Sequence, residues 1–326
     1  MTYIITGACG YVGYAIVKEL INKSKKVRCF ALEDEDCSHL IELHADIYYG
    51  DIVTKKGLEE LFDCDDKICA IHCASLVSTQ TKINKAIYDT NVIGTKNIID
   101  MCEKTHADLI YMGSVDAVPP INGKIADVHF DPEKVYSAYA KTKAMASNLV
   151  LESAKRGLRA MILMPCAVFG PYDHKGGLVS SLVKIYLKPF RMPIIRGGYE
   201  FTDVRDIAFA AVSAAANGKS GESYILSNEF FELKYVVDKM RSMEGLKPIK
   251  LVIPNFIAKA AGMIVEKISL ITKKRPLFTA YMIDCVNTHV SYSCEAAKKD
   301  LGYSPRPFDE TVKDTLDFMK THGYLK

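Results

Sequence analysis

The ten cysteines include no CxxC spacing, and no histidine pair stands at finger spacing, so no zinc site or disulfide framework is expected and the thiols read as reduced. An excess of either charge is also lacking. The chain has 42 Lys+Arg against 39 Asp+Glu, a formal +3, with Lys273-Lys274-Arg275 the densest basic group, so nucleic acid is not an expected partner. The longest apolar stretch, residues 253–271, is interrupted by Lys259, Glu266 and Lys267 and falls short of the roughly 20 apolar residues that a spanning helix needs. A strand-like run begins at Thr2 with no basic region or apolar core of leader type, which implies a cytoplasmic protein. Proline is sparse at 12 residues, and 49% of the 326 residues are apolar, so a globular chain of one or two domains is expected.

There is no internal repeat. Short β-branched runs instead alternate with amphipathic stretches, the grammar of βαβ units. Strands are expected at residues 3–5, 27–32, 47–49, 68–72, 109–112 and 160–164, and helices at 12–22, 56–62, 84–103 and 136–155. The fold class is therefore α/β: a doubly wound, Rossmann-type parallel sheet with a smaller, mostly helical C-terminal substrate domain. The two parts are expected to interleave, with residues 1–169 and about 200–227 forming the dinucleotide-binding domain and about 170–199 and 228–326 the substrate domain. A helix at 204–216 and a strand at 224–226 supply the later Rossmann material, and a final helix is expected at 309–320.

The first strand runs into Gly7-Ala8-Cys9-Gly10-Tyr11-Val12-Gly13, and an apolar-periodic helix follows. Strand, glycine turn and helix are the context that a dinucleotide pyrophosphate requires: Gly7 for the tight turn, Gly10 for close approach, Gly13 for helix–strand packing. At the end of the second strand, Glu33 stands where a carboxylate would hold the ribose 2′-hydroxyl, and no Arg or Lys takes its place. This favours NAD(H) over NADP(H) by a small margin. Arg28 earlier on the strand could instead reach a 2′-phosphate, and residues 33–36 could be a solvated acidic loop.

Tyr139 and Lys143 lie four residues apart on one helix, hence on one face and about one turn apart. A free tyrosine has a pKa of roughly 10, and a nearby ammonium favours the tyrosinate. Tyr139 thus suits a general acid/base, Lys143 its electrostatic tuner, and Ser114, just past the fifth strand, a group that orients a substrate oxygen. No metal site is expected.

The order of the glycine turn, Asp51, His72-Cys73-Ala74-Ser75, Asn91, Ser114, Tyr139 and Lys143 resembles the extended short-chain dehydrogenase/reductase family, also called the NAD-dependent epimerase/dehydratase family. The resemblance spans nearly the whole chain and is most specific up to Pro171. It implies that Asp51 and Ile52 meet the adenine and that Cys73, Ala74 and Ser75 line the path from phosphate to nicotinamide. It further implies that Asn91 anchors a helix kink or a relay water, that Pro165 and Val168 contact the nicotinamide amide, and that Lys143 binds its ribose. The arginines common in the nucleotide-sugar members are absent: Met164 precedes Pro165, and Tyr199-Glu200 precedes Phe201.

The chain is instead closer to the dihydroflavonol-reductase and 3β-hydroxysteroid-dehydrogenase-like branch. That implies a hydrophobic ketone, aldehyde or secondary alcohol as a small-molecule substrate, and a homodimer through the helices near 84–103 and 136–155. Asp116, Tyr172, His174, Tyr199 and Tyr281 are candidate substrate contacts. Two alternatives stay open. One is a nucleotide-sugar epimerase with tightly bound NAD, in which Arg191, Arg196, Arg275 or Arg306 replaces the missing anchors. The other is a dinucleotide-sensing regulator without turnover. An apolar stripe of Phe256, Ala260, Ile264, Ile268 and Ile271 could be core, a pocket roof or a membrane-facing surface.

Overall fold

A computed structural model describes residues 1–78, 80–119, 124–125, 128–188, 193–272, 283, 286 and 290–325. In chain order the first half comprises β1 (Thr2–Thr6), α1 (Tyr11–Asn22), β2 (Lys26–Ala31), α2 (Ser38–Glu42), β3 (Asp46–Tyr49), α3 (Leu58–Phe62), β4 (Ile68–His72), α4 (Lys85–Tyr88), α5 (Gly94–Thr105), β5 (Asp108–Met112), β6 (Lys124–Ile125) and α6 (Ala138–Lys155). Then come β7 (Ala160–Pro165), β8 (Ala167–Phe169), α7 (Leu178–Leu187), β9 (Ile194–Ile195), β10 (Gly198–Asp203), α8 (Val204–Asn217), β11 (Ser223–Leu226), β12 (Phe230–Glu232), α9 (Leu233–Met243), β13 (Val252–Ile253) and α10 (Asn255–Thr272). Shorter elements follow, including a helix at Glu295–Leu301 and another at Phe308–Thr321.

Seven parallel strands form the main sheet in the order β11-β7-β5-β4-β1-β2-β3. The order reverses beside β1, so the glycine turn lies at a switch point, where doubly wound folds leave a crevice at the carboxyl edge. Strands β1, β4 and β5 are buried at every position, as parallel strands covered on both faces must be. One layer packs α1 and α8 against the sheet through Ile5, Ile16, Leu20, Ile207 and Ala211. The other packs α3, α5 and α6 through Leu61, Ile98, Ala144 and Val150. Fully burying each such Ile, Leu or Val contributes about 1.5–3 kcal/mol.

The interleaving differs from the expectation at two strands, β8 and β10. β11 rejoins the main sheet beside β7, whereas β10 belongs to a separate three-stranded sheet with β8 and β12. A third core gathers there, with Phe308 stacked on Phe201 at 5.4 Å and on Phe231 at 4.2 Å. The single helix expected over 84–103 is interrupted by a π-helical turn at Asp89–Ile93, a feature often found at functional sites.

Candidate active site

At the end of β1 the chain turns on Gly7, whose φ of +68° is left-handed. A Cβ on Gly7 would lie 2.6 Å from the Ala74 backbone nitrogen, and one on Gly13 would lie 2.1 Å from the Gly7 oxygen. Gly10 is different: a Cβ there would meet only the Gly7 oxygen, at 3.1 Å, so its other side is open. α1 starts immediately after it with no side-chain cap and no acid in its first turn. The leading N–H groups of α1 therefore face an uncapped, uncrowded space, which fits a pyrophosphate. Cys9 is buried behind this turn with its Sγ 2.9 Å from Cys37 Sγ, and Tyr11 Oη donates to the Gly170 carbonyl at 2.6 Å. Val12 and Cys73 are partly buried against the first core.

At the β2 end, Glu33 is exposed and paired with Lys56 at 2.7 Å. Arg28 is engaged elsewhere: its guanidinium donates to the carbonyls of Leu61 at 2.9 Å and Asp63 at 2.7 Å and lies over the Tyr48 ring. Asp51 accepts from Val53 N at 2.8 Å. The Ile52 side chain is buried against Gly94, where an added Cβ would come within 2.5 Å of its Cδ1. That leaves backbone rather than side chain at Ile52 for an adenine.

Asn91, 1% exposed inside the π-helical turn, uses all its hydrogen-bonding capacity. Its Oδ1 accepts from Leu76 N at 2.8 Å and Ser75 Oγ at 3.0 Å, and its Nδ2 donates to Leu76 O and Thr142 Oγ1, both at 3.0 Å. It thereby ties the loop after β4 to the helix that carries Tyr139 and Lys143. Beside it, fully buried His72 bridges Thr6 and Thr95 at 2.6 and 3.0 Å. Burial and then Lys143 push His72 down to about 3, so it is a neutral structural histidine.

Ser114 caps a short 3₁₀ turn at Val115–Ala117, its Oγ accepting from Asp116 N at 3.2 Å. Ser137 caps α6 by accepting from Ala140 N at 3.0 Å, and this sets the register that places Tyr139 and Lys143 on the sheet side. Tyr139 keeps its proton: burial and then Asp116 hold its pKa well above the ordinary tyrosine value, and the nearby Ser114 hydroxyl partly offsets them. Asp116 is itself raised by the protein atoms around it, although its side chain is exposed to solvent. Lys143 is 2% exposed, donates to Met112 O at 2.6 Å, and lies over the Tyr111 ring at 4.7 Å and the Tyr139 ring at 5.9 Å. Burial pulls Lys143 down to about 7, with Cys73 acting the other way. The expectation that Lys143 lowers Tyr139 is not met by the protein alone, because burial and a carboxyl outweigh an ammonium aimed at Met112 O.

Several candidate substrate contacts lie elsewhere. The Tyr172 ring packs edge-on against Tyr14 and Phe318, and His174 stacks on His39 at 4.7 Å, behind α1 rather than beside Ser114. Tyr199 faces Phe201 and the third core. Tyr281 lies outside the described residues. Pro165 ends β7 opposite Leu226, and Val168 follows on β8.

Glu200, which the sequence reading passed over, stands on the opposite face of β10 from Tyr199. Its Oε1 accepts from Tyr292 N at 3.3 Å, and its Oε2 is buried without a hydrogen-bond partner. Burial lifts it to about 7. After burial, Glu200 and Asp116 are the next influences on Cys166, so both carboxyls lie in the neighbourhood of the β7 end. Strict alternation along 199–201, apolar on one face and acidic on the other, was the available signal. Among the described residues, no group of three or more His, Cys, Asp or Glu could hold a metal ion.

A doubly wound sheet, an uncapped glycine turn at its switch point and a Ser–Tyr–Lys set at its carboxyl edge define a dinucleotide-dependent oxidoreductase. Residues 3–227 match the model of the NAD dependent epimerase/dehydratase family, and the chain belongs to that family, the extended short-chain dehydrogenases/reductases. It is 25% identical to a putative dihydroflavonol 4-reductase of Synechocystis sp., covering 99% of this chain and 96% of that one. It is also 29% identical to the sterol-4-alpha-carboxylate 3-dehydrogenase, decarboxylating, of Saccharomyces cerevisiae, covering 97% of each. The solved structure of gox2253 superposes with a TM-score of 0.83 at 24% identity, covering 100% of this chain and 99% of that one. These relatives match the reductase and sterol-dehydrogenase branch that the motifs resemble.

Proposed function

We propose that the protein moves a hydride between NAD(H) and a hydrophobic ketone, aldehyde or secondary alcohol, with Tyr139 as general acid/base. The observation that carries this reading is the placement of Tyr139 and Lys143 one turn apart on α6, with Lys143 Nζ 5.9 Å from the Tyr139 ring centroid and Ser114 just past the carboxyl end of β5. A nicotinamide dinucleotide held by the residues 7–13 turn, with Asp51, Ser75, Lys143 and Pro165 along its length, supplies or accepts the hydride. In the reductive direction Ser114 Oγ and Tyr139 Oη bracket the carbonyl oxygen, and Tyr139 gives it the proton. The remaining tyrosinate is offset by the Lys143 ammonium beneath its ring.

The engagement of Arg28 by backbone carbonyls supports NAD(H) over NADP(H), since that cation is not free for a 2′-phosphate. Arg306 is held by Asp206 at 2.8 Å, which argues against its anchoring a sugar-nucleotide diphosphate. Arg196 stands at the N-terminus of α10, while Arg191 and Arg275 lie outside the described residues. We read the protein as a cytoplasmic homodimer through α5 and α6, and a monomer mass in light scattering at micromolar concentration would refute that part.

The test of the function is a panel of apolar ketones and secondary alcohols with NADH, NADPH and their oxidised forms. Turnover with NADH exceeding that with NADPH supports the reading. Turnover of UDP- or GDP-sugars alone, with NAD retained through purification, overturns it in favour of an epimerase.

A further inference from the structure

The apolar stripe on α10 is not core where the structure describes it. Phe256 is 74% exposed, Ile264 60%, Met263 48% and Ile257 47%, and Ala260 between them is exposed as well. At 100° per residue these five positions form one contiguous face. The opposite side is the one that packs, with Ala258 and Gly262 buried. Ile268 and Ile271 lie outside the described side chains. The helix is held rigidly at its start: Arg196 N donates to Asn255 Oδ1 at 3.1 Å, Asn255 Nδ2 donates back to Arg196 O at 3.3 Å, and β13 pairs with β9 just before it. Leu251, 57% exposed, extends the apolar face into that approach.

Within this helix and its approach the described charges have one sign. Residues 246–265 carry Lys247, Lys250 and Lys259, all exposed, and no acid, and exposed Arg196 adjoins the N-terminal end. Over residues 246–275 the sequence holds seven of the 42 Lys+Arg and one of the 39 Asp+Glu, so the remainder of the chain carries 35 against 38 and is net negative. An exposed apolar helix face set among lysines, on a chain otherwise slightly acidic, is the chemistry of an interfacial helix on an anionic bilayer. No helix among the described residues is long and apolar enough to cross a membrane, so the contact lies in the interface plane.

We propose that α10 docks the protein on an anionic lipid surface, with Phe256, Ile257, Met263 and Ile264 entering the headgroup–acyl boundary and the flanking lysines meeting lipid phosphates and carboxylates. The docking does not depend on which substrate the enzyme turns over.

The test is co-sedimentation of the full chain with vesicles of phosphatidylcholine alone and of phosphatidylcholine with 30% phosphatidylserine, beside the variants Phe256→Glu/Ile264→Glu and Lys250→Glu/Lys259→Glu. Both variant pairs change exposed positions, and unchanged thermal unfolding checks their folds. Binding to the serine-containing vesicles is expected, weakened about tenfold or more by the Glu pair at the apolar face and substantially by the lysine reversals. Wild-type protein left in the supernatant with anionic vesicles overturns the proposal, as does equal binding by the apolar-face variant. A wild-type dimer in light scattering that Phe256→Glu/Ile264→Glu converts to monomer also overturns it, because a second copy would then cover this face.

Discussion

Replacing Glu200 with Gln tests the electrostatics of the partly buried carboxyl on β10 directly. The unfolded chain releases the Glu200 proton near 4.5, whereas the folded protein holds it to about 7. Between those values the native state binds more protons than the unfolded state, so Glu200 makes stability fall as pH rises through that window and level off above it. At about 1.4 kcal/mol per pH unit the loss has a ceiling of about 3 kcal/mol, and partial access of water brings it to about 1–3 kcal/mol. Glu200→Gln keeps the shape and cannot ionise. Urea unfolding of both proteins at pH 4.5, 6 and 8 measures the effect, as the difference in unfolding free energy between wild type and variant at each pH. Wild type should lose about 1–3 kcal/mol relative to the variant between the first and last of these. If the two pH profiles run parallel, Glu200 ionises as an ordinary carboxylate and the burial of its partnerless Oε2 does not hold in solution.

Tyr139→Phe should lower kcat by about 10²–10⁴-fold while leaving NADH affinity within about threefold, measured by stopped-flow and fluorescence titration. Unchanged turnover would remove Tyr139 from the chemistry and revive the sensing alternative. Gly13→Ala should abolish dinucleotide binding and lower the Tm, since its Cβ would lie 2.1 Å from a backbone oxygen; calorimetric titration and thermal scanning read both. Asn91→Ala removes four hydrogen bonds at a buried site and should cost about 2–5 kcal/mol in chemical denaturation. His174 is held down to about 4, chiefly by burial and then by the adjacent His39 and His322. The unfolded state therefore takes up its proton first, and the stability His174 lends above pH 6.5 is lost as pH falls toward 4. His174→Phe should flatten that acid slope, seen as a smaller drop in Tm between pH 7 and pH 4.5.

The Rossmann part was legible because parallel strands covered on both faces must be continuous apolar runs, and all six expected strands stand in the main sheet. That Tyr139 and Lys143 share one helix face was legible from their spacing, and the cap by Ser137 starts the helix that carries both. The balance of charges was not legible. Nothing in the order of residues says that Lys143 donates to Met112 O, or that Asp116 outweighs it at Tyr139. The packing of Tyr172 and His174 was not legible for a related reason. Their place after Gly170-Pro171 says that they start a loop, but only tertiary packing against Tyr14 and His39 says which way that loop leans. The break in the helix over 84–103 falls on Asp89-Thr90-Asn91-Val92-Ile93-Gly94, weak helix formers whose signal was masked by the helical patterns on either side. The turn is set by one buried amide bonding to a distant loop.

The return of β11 to the edge of the main sheet has a consequence for how the chain is made. Ile162 N of β7 donates to Glu222 O at 2.9 Å, and Cys166 N, just past the strand, donates to Leu226 O at 3.1 Å. On a ribosome adding roughly 5–20 residues per second, the roughly 60 residues between β7 and β11 take about 3–12 seconds to appear. For that interval the nascent sheet presents an apolar strand with an unclosed edge, the kind of surface that pairs with a neighbouring nascent chain. Yield in a cell should therefore depend on translation pace and chaperone supply through residues 166–226 more than on the stability of the finished protein.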